Sequence, residues 1–520
     1  MAQLFLHPEV SEAHCSLAIR SNCKQLALMR FLGIKCILLF GLAARGAPAE
    51  DLDGQLGAEL ASAGFTGTVG YSIEARLGRP IDPKLANLGR LLFFDKIPSL
   101  HSDNACAGCH SPTNGFGDSQ SIAIGIQNDN LVGPNRQGPR NQRRTPIASN
   151  TAFYPGLMWN ERFFTVSGDP FNNSRGFVFP PPEGATRFPP HDPIIKVLLQ
   201  AQGEMPPTEL TEVAGFTGTK GTIGPQFDQF DDGKGSPVPP PDASGSRNDP
   251  IRQAVLVRLN VSPAYRGLFG AVFPAVAAGG PIDFSMFGRA IAEFEFTLIF
   301  ADAPVDRFAR GDRSAMTVPE KEGALLFFGK AGCVTCHAVA GQSNEMFSDF
   351  KMHVLGVPQI APEFGVGKGN VIFDGPGQDE DFGREQISGD PAHRYQFRSS
   401  PLRNVALQPA FFHNGAFTRL EDAVYHHLNV FESARNYDPA RAGVDKDLTF
   451  RLGPIEPVLA RLDPLVLNPP QLSPDEFQNL VQFVRTGLLD KRAEPQNLCS
   501  LVPPTLPSGM EPLRFEGCPP

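Results

Sequence analysis

Hydrophobic positions in this chain gather into short helical runs separated by long polar connections. Gly89-Arg90-Leu91-Leu92-Phe93-Phe94 and Gly323-Ala324-Leu325-Leu326-Phe327-Phe328 are near copies, and each reads as the end of an apolar helix. From Phe284 to Phe300, the residues Phe287, Ile291, Phe294 and Leu298 recur at helical spacing, and Asp302-Ala303-Pro304 is expected to stop that helix. Ser473-Pro474-Asp475-Glu476 predicts the capped start of a closing helix through Phe477, Leu480, Val481 and Val484. Thr418-Arg419-Leu420-Glu421 reads as a capping box, with Thr at the N-cap and Glu three residues later. Residues 50–80 are Gly/Ala-rich and predict no element. Pro180 to Pro193 and Gly215 to Pro250 read as long surface loops or insertions. No region is rich in strands. A repeated helix implies two related domains, so the expected fold is mainly α with long loops.

Composition agrees with a loop-rich chain: 50 Pro, 52 Gly and a single Trp in 520 residues, with 41% hydrophobic residues. A net charge of −9 argues against nucleic-acid binding and leaves room for an electrostatic partner. Near the N-terminus, Arg30 and Lys35 flank a short apolar run from Cys36 to Ala44 that ends in Ala47-Pro48-Ala49. That order is an export signal with Met29 as its start, and the run is too short for a stable membrane span. Residues 1–49 are therefore read as a leader, 50–310 and 311–492 as the two domains, and 493–520 as a Pro-rich tail.

The segment behind each repeated helix carries the chemistry. Cys106-Ala107-Gly108-Cys109-His110 and Cys333-Val334-Thr335-Cys336-His337 are both Cys-x-x-Cys-His, the covalent attachment signature of a c-type haem. Zinc sites built from such pairs usually bring a second Cys/His pair nearby, whereas each motif here stands alone behind a helix. His110 and His337 are then the iron ligands. After His110 there is no His or Met until Met158, which leaves the first iron open in the way peroxide binding requires. For the second iron, His427 shares a helix face with Leu420, Ala423 and Val424 and is expected to point inward. His426 falls on the more polar face, solvated or hydrogen-bonded; the alternative leaves both histidines on the helix surface. Cys499 and Cys518 could pair and pin the tail, or remain free thiols.

The series Arg144-Thr145-Pro146, Asn150-Thr151-Ala152-Phe153, Trp159-Asn160-Glu161-Arg162, Asp306-Arg307-Phe308-Ala309-Arg310-Gly311-Asp312, Leu402-Arg403-Asn404-Val405-Ala406-Leu407 and Phe412-His413-Asn414-Gly415 completes the pattern. With the two haem motifs, it resembles the bacterial di-haem cytochrome c peroxidases, MauG included, over Pro83 to Leu489. The resemblance implies two covalently bound c-type haems, a peroxidatic one in the N-terminal domain and an electron-entry one in the C-terminal domain. It implies Trp159 as the relay between them. The family's acid/base glutamate stands ten positions after a glutamine, with a proline four after the glutamine. Gln202, Pro206 and Glu212 reproduce those offsets, with Glu204 and Glu209 as competitors.

Three departures bear on function. The histidine that blocks the first iron in some family peroxidases is absent. His427 stands where peroxidases carry Met and MauG carries Tyr, which predicts a lower potential than a Met-ligated haem has. Arg144 replaces the asparagine that serves an inter-domain calcium, and its guanidinium could supply the cation's charge, so calcium is in question. The resemblance implies an exported, periplasmic enzyme that reduces hydrogen peroxide with electrons from a small cytochrome c or cupredoxin. Two alternatives stand beside it: a MauG-like oxidase acting on a protein or organic substrate, and a non-catalytic electron-transfer protein.

Overall fold

The computed structural model describes residues 51–362 and 372–519. The leader, with Met29, Cys15, Cys23 and Cys36, lies outside the described residues. Six helices frame the rest: α1 (Leu52–Ser62), α2 (Pro83–Phe94), α3 (Phe284–Glu295), α4 (Val318–Phe328), α5 (Leu420–Leu428) and α6 (Pro474–Gln482). Strands are two or three residues long and form only small ladders, such as Leu131–Val132 with Arg514–Phe515. The protein is helix-rich, and no described helix is long and apolar enough to cross a membrane.

Local chemistry starts three of these helices, the one at Ser473 where the sequence expects it. Asp82 accepts from the backbone N–H of Lys84 at 2.8 Å, with Pro83 opening α2. Thr317 with Glu320, and Ser473 with Glu476, close reciprocal capping boxes at the starts of α4 and α6. Each such cap is worth about 1 kcal/mol. Helix α2 then packs on α3, and α4 on α6, by the same device. A Cβ on Gly89 would stand 1.8 Å from the Ala290 carbonyl oxygen, and one on Gly323 would stand 1.9 Å from that of Asn479. Only glycine lets these backbones approach so closely.

The buried aromatic clusters repeat as closely. Phe93 meets Phe294 at 5.2 Å and Phe116 at 5.8 Å; Phe327 meets Phe483 at 5.3 Å and Phe347 at 5.9 Å. At the seam, Asn150 and Asn404 both adopt left-handed backbone, with φ of 64° and 61°. Both side-chain amides donate to the Phe300 carbonyl, at 3.1 and 2.9 Å. Helix α1 and the tail cross between the two cores. Leu56 and Leu60 of α1 are buried in the core around α4, while Leu498 and Leu506 of the tail are buried in the core around α2. Cys499 and Cys518 form a disulfide within that tail.

Several expectations are corrected. Helix α3 ends at Glu295 and does not continue to Phe300, because Asn150 takes over the backbone there: its N–H donates to the Leu298 carbonyl and its Oδ1 accepts from Phe300. Thr418 is no N-cap. Its hydroxyl donates to the Ala442 carbonyl, Arg419 occupies the cap of α5 without a side-chain bond, and Glu421 pairs with Arg485 at 2.5 Å. The stretches expected as surface loops are partly interior, since Phe188, Phe216 and Phe230 are buried. Residues 50–80, where the sequence predicts no element, contain α1; it has only Leu56 and Leu60 to mark its buried face.

Candidate active site

Cys106–Cys109 form one helical turn whose end places His110 beside the α2 aromatics, with the Phe93 and His110 rings 6.2 Å apart. Cys333–Thr335 form the corresponding turn, with Phe327 and His337 at 6.3 Å. His110 Nδ1 lies 3.1 Å from the Phe116 carbonyl, and His337 Nδ1 lies 3.0 Å from the Phe347 carbonyl. A carbonyl only accepts, so each Nδ1 carries the hydrogen and each Nε2 is left free, as a metal-binding imidazole requires. Burial lowers both histidines to about 4, which keeps them neutral. Burial also raises the Cys106 and Cys333 thiols to about 12.

Each triad lines its own cavity, of about 530 Å³ at His110 and about 390 Å³ at His337, in the range of cofactor sites. Among the described residues, no three His, Cys, Asp or Glu side chains converge to hold a metal ion by themselves. Arg144 Nε, Arg162 Nε and His413 Nε2 lie in the cavity walls, buried and with no hydrogen-bond partner. Paired thiols, a neutral imidazole and unspent donors suit a haem with carboxylate side chains.

The linings of the two cavities differ. In the second cavity, His427 Nδ1 donates to the Ala423 carbonyl at 2.8 Å, leaving Nε2 free, and Phe412 stacks on its ring at 5.3 Å. The His337 and His427 rings stand 6.3 Å apart. Two imidazoles bound to opposite sides of one metal, at about 2 Å per bond, have centroids about 6 Å apart. The pair therefore fits a single iron. His426 is fully buried and not solvated: Nε2 donates to the Leu355 carbonyl at 2.8 Å and Nδ1 accepts from Ser433.

In the first cavity, the described lining holds no imidazole besides His110 and no thioether besides Met158. Gln202, Pro206, Glu209 and Glu212 form part of this wall. Burial raises Glu212 to about 7, with Glu209 adding to the rise and Arg162 opposing it. Arg162 forms its ion pair with Glu209. Glu204 does not line the cavity and instead pairs with Arg187 at 2.7 Å. Trp159 lies in the walls of both cavities, and its Nε1 donates to the Arg144 carbonyl at 2.9 Å. Arg144 reaches across the seam to Gln408 Oε1 at 3.0 Å, and burial lowers it to about 10.

Sequence reasoning missed Glu295, Arg398 and Tyr154. Glu295 is 6% exposed and lines the first cavity. It stands four positions after Ile291, so a charged residue on the apolar stripe of α3 was the available signal. Arg398 and Tyr154 line both cavities; Arg398 sits in the two-residue strand Phe397–Arg398 and Tyr154 in irregular chain, too short in either case for a periodic signal.

Residues 83–314 match the family model of the di-haem cytochrome c peroxidases. The chain is 26% identical to methylamine utilization protein MauG of Methylorubrum extorquens, over 67% of this chain and 70% of that protein. It is 30% identical to cytochrome c551 peroxidase of Pseudomonas aeruginosa, over 33% of this chain and 44% of that one. A solved MauG-like protein associated with microbial copper homeostasis shares the fold, with a TM-score of 0.51 and 20% identity over 80% of this chain and 91% of that chain. The chain thus belongs to the di-haem cytochrome c peroxidase and MauG family, a family of oxidoreductases that implies two c-type haems.

Proposed function

We propose that the protein is an exported, periplasmic di-haem peroxidase. It reduces hydrogen peroxide to two waters, consuming two protons and two electrons. The electrons arrive singly from a small cytochrome c or cupredoxin. Residues 50–310 would form the peroxidatic half and residues 311–492 the electron-entry half. One haem would be held by Cys106, Cys109 and His110, the other by Cys333, Cys336, His337 and His427. Bound there, they would supply electron storage and cleavage of the oxygen–oxygen bond.

The chain's own residues handle protons and position. Glu212, as a carboxylate, takes the proton from one peroxide oxygen and returns it to the other, so that the second oxygen departs as water. A carboxyl raised to about 7 by burial exchanges protons readily near neutral pH. The Gln202 amide orients the peroxide, and Pro206 closes the wall beside it. Trp159, in the wall of both cavities, bridges the two halves for electrons.

The observation that carries this reading is the lining of the first cavity, which holds Glu212 and, among the described residues, no second imidazole. Glu212→Gln should slow peroxide consumption by about a hundredfold or more while haem content is unchanged. Unaltered turnover would remove Glu212 from this role.

A second reading has its own support. Several relatives bear the name methylamine utilization protein MauG; that of Paracoccus denitrificans is matched over 92% of its length. Oxidation of another protein or an organic molecule at the expense of peroxide would use the same two cavities. Peroxide turnover that depends on such a substrate, and not on a small redox protein, would favour this second reading.

A further inference from the structure

The internal repeat exposes one residue without a counterpart. Phe294 packs on the glycine of α2 as Phe483 packs on the glycine of α4. Counting from these phenylalanines, Ile291 corresponds to Leu480, and both line their cavities. One position further on, Glu295 corresponds to Val484, and again each lines its own cavity. The fold thus places a carboxyl in the first wall where the second wall is aliphatic.

Nothing in the described chain compensates that carboxyl. Glu295 Oε2 is buried with no hydrogen-bond partner. Charged groups on the elements packed against α3 are engaged elsewhere or face water. On α2, Lys84 is exposed and Arg90 donates to the Leu501 carbonyl at 2.8 Å. Residues 198–202 carry no charge, and Glu204 beyond them is paired with Arg187. On α3 itself, Glu293 is paired with Arg79 at 2.5 Å, and Arg289 lies over the Phe273 ring at 5.2 Å. Glu212 and Glu295, both in the lining of the first cavity, act electrostatically on the Cys106 thiol. Burial alone acts on Glu295, raising it to about 8.

An isolated buried carboxyl avoids ionising unless positive charge comes close. A ferric haem with a neutral histidine ligand carries one net positive charge on its core; a ferrous one carries none. The carboxyl beside it is therefore the stronger acid in the oxidised protein. Resting on the reading that the first cavity holds a haem, we propose that Glu295 is a proton site coupled to electron entry there. When one electron arrives from the donor, the Glu295 carboxylate takes up one proton from solvent; when that electron leaves, the proton is released. Charge entering the first cavity is thereby neutralised within it, and the second cavity, walled by Val484, has no such device.

The test is an anaerobic spectroelectrochemical titration of the haem-loaded protein from about pH 5.5 to about pH 9, without peroxide. The first-haem midpoint potential is expected to fall as pH rises through neutrality, with a much flatter response at the second haem. Glu295→Gln should remove most of that slope while haem content and spin states stay as in the wild type. Glu212→Gln should keep the slope, so failure of the peroxidase reading and failure of this one are distinguishable. Val484→Glu should confer a slope on the second haem, and redox-difference infrared spectra of the wild type should show a protonated-carboxyl band lost on oxidation. A pH-independent first-haem potential in the wild type would overturn the proposal. So would a slope that survives in Glu295→Gln or disappears in Glu212→Gln.

Discussion

The two halves of this molecule agree within about 0.1 Å in four ring and hydrogen-bond distances around His110 and His337, yet differ in the rest of their cavity linings. Phe93 and Phe327, Gly89 and Gly323, and Phe116 and Phe347 do the same work in each half. Opposite His337 stands His427, with its Nε2 free. The lining of the His110 cavity instead holds Gln202, Pro206, Glu212 and Glu295. A repeated frame decides where a haem can be held. On the proposed reading, the few side chains outside the repeat decide whether that site carries electrons or does chemistry.

The largest effect should come from removing the distinguishing ligand. His427→Gly should convert the second haem from low to high spin in the ferric EPR spectrum, making the two sites alike. An unchanged spectrum would strike His427 from the ligand set. Next in size is the loss of turnover in Glu212→Gln, and its pH dependence sharpens the contrast. As the base, Glu212 must be ionised, so peroxide consumption should fall as pH drops below about 7, by about tenfold per unit. That limb should vanish in Glu212→Gln. A wild-type rate that is flat from pH 7 to about pH 5 would point to a different base.

A smaller effect tests what the halves share. Gly89→Ala and Gly323→Ala each force a Cβ into a facing carbonyl and should destabilise folding by about 1–3 kcal/mol, measured by urea unfolding. Similar losses at both positions would support an equivalent frame. A loss at only one would mean that the two helix pairs are not held alike.

Much of the shared frame was legible in the sequence because it is built from local signals. The two Cys-x-x-Cys-His motifs, the apolar helices before them and the Ser473 capping box are contiguous, and the structure forms a helical turn at each motif, both helices and the cap. Thr418 shows the limit of such signals. It has the spacing of a cap, but the Ala442 carbonyl, brought close only by the fold, takes its hydroxyl. Helical periodicity puts His426 on a polar face, yet the Leu355 carbonyl and Ser433 bury that face. The facing walls are harder still, since they join residues distant in the chain. Gln202 and Glu212 came from family offsets, whereas Arg398 and Tyr154 had no pattern to reveal them. Glu295 did leave a trace, as a carboxylate on an apolar stripe, but a single charge there has no meaning until its lack of partners is seen.

The central claim is that the first iron is open and the second is closed by two histidines. EPR of the ferric protein before and after a small excess of hydrogen peroxide tests it most directly. The account predicts one high-spin and one low-spin signal at rest, with peroxide changing both. Two low-spin signals that peroxide leaves unaltered would contradict it and leave a protein that only carries electrons.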